Sequence, residues 1–88
     1  MTYKVVVHKR AARYLKRLPE SQKQRIKQSL RKLEDGITDK VDIKAMAGQW
    51  KGYYRMRIGD TRVIFWKDKK LRTIYVDHIG ARGDIYKE

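Results

Sequence analysis

Residues 53–65, YYRMRIGDTRVIF, alternate side-chain character on either side of a Gly-Asp pair, which reads as a two-residue hairpin turn. A turn at Gly59-Asp60 sets Ile58 opposite Thr61, Arg57 opposite Arg62, Met56 opposite Val63 and Arg55 opposite Ile64. Successive strand residues point to opposite faces, so Tyr54, Met56, Ile58, Val63 and Phe65 form an inward, apolar face. Tyr53, Arg55, Arg57, Arg62, Ile64 and Trp66 share the other. Placing Arg57 directly across from Arg62 costs a few tenths to about 1 kcal/mol. Any one of these arginines, taken alone, reads more readily as a solvated surface charge. Three together beside two rings make a phosphate and base platform, because guanidinium forks match phosphate oxygens and aromatic faces stack on bases.

The remaining chain supplies what such a hairpin packs against. TYKVVVH, residues 2–8, is valine-rich and partly alternating, which predicts a first strand. Ala11, Tyr14, Leu15 and Leu18 fall at i, i+3, i+4 and i+7 and predict a helix from Lys9 to Leu18. Pro19 has no N–H to donate, so it belongs in the first turn of a second helix, followed by Glu20 at the positive end. Ile26, Leu30 and Leu33 continue that helix's apolar stripe, basic residues cover the rest, and Gly36 suits the position after its last turn. Residues 37–52 have no clear period and read mostly as loop. YYRMRI, TRVIFW and LRTIYVDHI then form a three-strand antiparallel meander, and the last residues, GARGDIYKE, read as irregular chain or a short helical turn.

With 88 residues the chain is expected to be one domain spanning 1–88, with room for one sheet and one helical layer. The predicted class is α+β, in the order β-α-α-β-β-β, with a small, mostly antiparallel sheet against an N-terminal helical hairpin. Cysteine is absent, which removes disulfides, thiolate metal sites and a cysteine nucleophile, and suits a reducing cytoplasm. MTYKVVVHKR contains no long apolar run, and no segment approaches the roughly 20 apolar residues of a membrane span, so neither secretion nor membrane insertion is expected. Lys and Arg number 23 against 10 Asp and Glu, a net charge of +13, which steers polyanions toward the protein. Nucleic acid is the leading partner on this ground and an acidic protein the next.

The chain resembles the RelE/ParE superfamily of toxins from toxin–antitoxin pairs. The resemblance rests on the element order, on YYRMRIGDTRVIF against a family pattern like Y-R-(I/L)-R-(V/I)-G-x-Y-R-(V/I)-(I/L)-(Y/F), and on IGARGDIYK against G-H-R-x-x-(V/I)-Y. It implies a RelE-like fold and, in the RelE branch, a ribosome-dependent endoribonuclease that cuts mRNA in the A site, held in check by a cognate antitoxin, here expected to be acidic and RelB-like. The family's site residues carry over as Arg55 and Arg57 before the turn, Arg62 after it, and Arg82 with Tyr86 near the C-terminus. The pair before the turn is commonly lysine, and arginine cannot give up its proton, so Arg55 and Arg57 are expected to hold charge only. Ala81 stands where the family often has histidine, and Thr61 replaces a frequent tyrosine.

The reaction implied is attack of an RNA 2′-hydroxyl on the adjacent phosphate, giving a 2′,3′-cyclic phosphate and a 5′-hydroxyl without metal or small-molecule cofactor. Arg62 and Arg82 are expected to stabilise the transition state, with Arg55 and Arg57 holding the backbone. Tyr86 and His78 are alternative proton-transfer groups; taken alone, the first reads as a core cap and the second as a packed strand histidine. Lys51, Tyr53 and Trp66 are candidates for further phosphate and base contacts, although the two rings read more readily as edge packing and Lys51 as an ordinary exposed lysine. His8 lies far from His78 in sequence and no carboxylates cluster, so no metal site is expected. Two other functions fit the same chain: a ParE-like inhibitor of DNA gyrase, and a basic nucleic-acid-binding module without catalysis.

Overall fold

A computed structural model of the chain describes residues 3–36 and 41–81. Their order is β1 (Lys4–Val7), α1 (Lys9–Lys16), α2 (Glu20–Glu34), β2 (Asp42–Ala45), a 3₁₀ turn (Gly48–Trp50), β3 (Tyr54–Ile58), β4 (Thr61–Asp68) and β5 (Thr73–Ala81). The five strands form one sheet in the order β1-β5-β4-β3-β2. It is antiparallel except where β1 runs alongside β5, with Val6 beside Tyr75 and Val7 beside Val76.

The hairpin forms with the register that the alternation predicts: Ile58 pairs with Thr61, Arg57 with Arg62, Met56 with Val63 and Arg55 with Ile64. Gly59 takes φ 59°, the left-handed value that the first central residue of a type II′ turn requires. A side chain there would also approach the Arg25 guanidinium on α2, whose Nη1 lies 3.5 Å from where a Cβ would sit.

The helices cover one face. Ala11 of α1 and Ile26, Leu30 and Leu33 of α2 pack with Met56, Val63, Phe65, Ile74, Val76 and Ile79 in one buried cluster, joined at its margin by Tyr54 and Ile58. Pro19 stands one residue earlier than predicted, as the N-cap of α2, and its carbonyl accepts from the Lys23 N–H at 3.0 Å. Gly36 follows the cap with φ 74° and donates its N–H to the Leu33 carbonyl, closing the helix.

The segment read as loop differs from expectation. Asp42–Ala45 is a strand, in antiparallel register with Tyr54–Arg57, so the sheet has one strand more than the sequence pattern predicts. Its burial rises little above that of a surface edge: Ile43 is half-buried at the margin of the core, while Lys44 and Ala45 are exposed. An edge strand with one modestly buried side chain carries almost no periodic signal, and the pairing is supplied by β3.

Candidate nucleic-acid interface

The face away from the helices is not a bare solvated surface. Arg62 is only 8% exposed and Ile64 is fully buried, although Ile64 lies outside the helix-side core. Across the sheet Ile64 stands between Arg55 on β3 and His78 on β5, and Arg62 stands between Arg57 and Gly80. Gly80 offers no side chain, which leaves room on that side for the arginine stem. The 3₁₀ turn brings Trp50 back over this part of the sheet, where its ring meets the edges of Tyr53 (5.3 Å between centroids) and His78 (5.8 Å). Trp50 thereby stands against His78, the β5 neighbour of the fully buried Ile64.

The three hairpin arginines are not equivalent. Arg57 is exposed and paired with Asp42 on β2, Nε to Oδ2 at 3.0 Å, which offsets its repulsion from Arg62. Arg55 and Arg62 each bury an Nε–H that has no hydrogen-bond partner among the described residues. A buried donor without an acceptor is costly, about 1–3 kcal/mol and more when the group is charged. The terminal N–H groups of the same guanidiniums lie in a plane that suits phosphate.

A register shift between Ile64 and Phe65 redirects β5. Ile64 pairs with His78, yet Phe65 pairs with Val76, so Asp77 is the extra residue of a bulge. The bulge brings Asp77 and His78 in succession to the outer face. The Tyr53 hydroxyl donates to Asp77 Oδ2 at 3.1 Å. Burial, followed by that hydrogen bond and the Asp77 charge, raises the Tyr53 pKa and keeps it a neutral phenol. His78 shifts the other way: burial and then the Arg10 charge lower its pKa below the usual 6.5, with His8 adding to the effect and Asp77 opposing it. The shift favours the neutral imidazole, the form that can accept a proton.

Of the other predicted residues, Trp66 stacks on Tyr75 across the β4–β5 pair, centroids 4.5 Å apart, further along the same face. Lys51 lies exposed in the turn before β3. Arg82 and Tyr86 lie outside the described residues. The histidines separated by most of the chain come together at one end of the sheet: the His8 N–H donates to the Val76 carbonyl at 2.8 Å, next to the bulge. No group of three or more His, Cys, Asp or Glu among the described residues could hold a metal ion. Trp50, Asp77, His8 and Arg10 were not expected here. None left a local signal; their placement depends on the bulge, on the β1–β5 pairing and on the path of residues 46–53.

A family profile described as the ParE toxin of type II toxin–antitoxin system, parDE, matches residues 5–86. The chain is 35% identical to a toxin candidate named RelE1 from Methanocaldococcus jannaschii, over 99% of this chain and 98% of that one. Its structure is similar to that of an archaeal RelE–RelB complex from Pyrococcus horikoshii OT3, with a TM-score of 0.80 and 30% identity, covering 96% of this chain and 99% of that one. A RelB–RelE antitoxin–toxin complex from Methanococcus jannaschii superposes with a TM-score of 0.75 and 26% identity, over 92% and 94% of the two chains.

Proposed function

This chain belongs to the RelE/ParE family of type II toxin–antitoxin toxins, and from that premise we propose that it is a ribosome-dependent mRNA endonuclease of the RelE type. It acts as one toxin domain over residues 1–88, in the cytoplasm, and cuts message in the ribosomal A site. The observation that carries this reading is Arg62: nine-tenths buried, its Nε–H without a partner among the described residues, in one row with Arg57 and beside Arg55.

In this mechanism the guanidinium heads of Arg55 and Arg62 hold the scissile phosphate through their terminal N–H groups. His78, whose neutral form is favoured by burial and then by the Arg10 charge, takes the proton of the 2′-hydroxyl as its oxygen attacks the phosphorus. The P–O5′ bond breaks, a 2′,3′-cyclic phosphate forms, and a proton delivered to the leaving oxygen gives the 5′-hydroxyl. Tyr86 is the candidate for that delivery, and Arg82 joins Arg62 in stabilising the phosphorane charge. A donor aimed at such charge is worth about 10²- to 10³-fold in rate. The chain uses no metal for this step. Arg57, shared with Asp42, and Lys51 hold the backbone electrostatically, with Tyr53 and Trp66 bordering the path of the bases.

The partner that restrains the toxin is an acidic, RelB-like antitoxin, complementary to a chain of net charge +13. The similar archaeal structures are RelE–RelB complexes, which supports this assignment.

The test is primer extension on a defined mRNA in a reconstituted translation reaction stalled with an empty A site. A new end in the A-site codon that requires ribosomes, and that Arg62→Ala or Arg82→Ala removes, is the expected result. Intact message with folded protein overturns it. The ParE profile match carries the second reading, inhibition of DNA gyrase, which predicts DNA damage signalling with intact mRNA.

A further inference from the structure

Arg10 sits where β1 passes into α1, and its side chain folds back on the residue that caps the helix. The Arg10 backbone N–H donates to His8 Nδ1 at 3.1 Å, its Nε–H reaches the same nitrogen at 3.2 Å, and Nη2 lies 3.4 Å from His8 Nε2. An imidazole that accepts through Nδ1 brings no negative charge, so the hook orients the guanidinium without neutralising it. The contrast is with Arg57, which is held by a carboxylate. The hook lies beside the bulge: Val7 pairs with Val76, and the His8 N–H donates to the Val76 carbonyl. Lys4 and Val6, exposed on β1, place His8 on the outer face by strand alternation.

We propose that Arg10, held by His8, is a second phosphate-binding arm of the RNA site, and that single-stranded RNA crosses the sheet from β3 over β4 and β5 toward β1. This rests on the nuclease reading for the first phosphate, at Arg55 and Arg62, and adds the direction in which the strand leaves it. β4 and β1 are two strand spacings apart, about 10 Å, so the two arms take different phosphates of one strand. His78 lies between them, with Asp77 beside it engaged by the Tyr53 hydroxyl. Arg10 is a substrate-binding residue in this arrangement and His8 a positioning residue. Burial is the chief cause of the low His78 proton affinity and the Arg10 charge the next, consistent with both groups bordering one space.

The experiment measures affinity for a short 2′-O-methyl RNA, which cannot be cleaved, as a function of salt and without ribosomes. Each single-strand phosphate contact contributes about 0.7 to the slope of log affinity against log salt. Arg10→Gln is expected to reduce the slope by about that amount at unchanged melting temperature, Arg10→Lys to restore it, and Arg31→Gln, at an exposed position of α2, to leave it as in the wild type. His8→Asn keeps a capping side chain and is expected to weaken binding severalfold with the slope retained; unchanged affinity overturns the part given to His8. An unchanged slope in Arg10→Gln alongside a reduced one in Arg62→Gln overturns the second arm and leaves the nuclease site standing. An unchanged slope in both overturns the phosphate face itself.

Discussion

On the helix side of the sheet, Met56, Val63, Phe65 and Val76 are wholly buried among the side chains of α1 and α2. One residue along the same strands, on the opposite side, Arg62 and Ile64 are almost as deeply buried, but their neighbours are Arg55, Arg57, His78 and the turn that carries Trp50. Burial on the first side removes apolar surface from water and stabilises the fold. Burial on the second leaves guanidinium donors without acceptors among the described residues, an arrangement that costs stability. Depth alone therefore does not distinguish core from site; the chemistry left unsatisfied there does.

Exchanging a residue on each side should separate the two most sharply. Phe65→Ala is expected to cost about 3–5 kcal/mol, as large-to-small changes in a packed core do, measured as a fall in the denaturant midpoint. Arg62→Met keeps most of the volume and removes a buried charge lacking a full set of partners, so its midpoint is expected to hold or rise. Cleavage by Arg62→Met should fall by about 10²- to 10³-fold. Equal destabilisation by the two changes would make the outer face a second core.

His78 tests the same contrast through pH. Its folded pKa lies below 6.5 because burial and then Arg10 disfavour the charged ring, so between the two values the unfolded chain binds the proton more readily. The stabilising contribution is complete above about 6.5 and is lost as pH falls from there through the folded value. His78→Gln is expected to flatten this part of the stability profile in pH-dependent melting. It should also lower cleavage at neutral pH and remove the acidic limb of the rate profile.

Smaller effects sharpen the boundary. Tyr53→Phe deletes the donor to Asp77 and should cost about 0.5–1.5 kcal/mol in a denaturant titration. Asp42→Asn breaks an exposed pair and should change stability by less than about 1 kcal/mol. Its larger consequence is electrostatic: with Arg57 released, affinity for single-stranded RNA at low salt is expected to rise.

Much of this architecture was legible in the sequence because the signals were local. Alternation about Gly59-Asp60 predicted the hairpin register and the faces on which Arg55, Arg57 and Arg62 stand. The 3.6-residue stripe of Ile26, Leu30 and Leu33 predicted α2 and its buried side. The strand at Asp42–Ala45 was not legible, because an edge strand with one half-buried isoleucine takes its hydrogen bonds from β3 and shows no period of its own. The rank order among the arginines was hidden for a related reason: whether a guanidinium meets Asp42, Gly80 or no acceptor depends on strands that are distant in sequence.

The sequence by itself determined the charge of +13, the helical hairpin, the β-hairpin register and the arginine-bearing face, since each depends on side chains a few residues apart. Tertiary structure decided which of those arginines is buried without a partner, that a bulge sends both Asp77 and His78 to the outer face, and that His8 with Arg10 lies beside them. These are long-range pairings: β1 lies beside β5 across most of the chain's length, and the cost of closing that loop is repaid by contacts that no local pattern records.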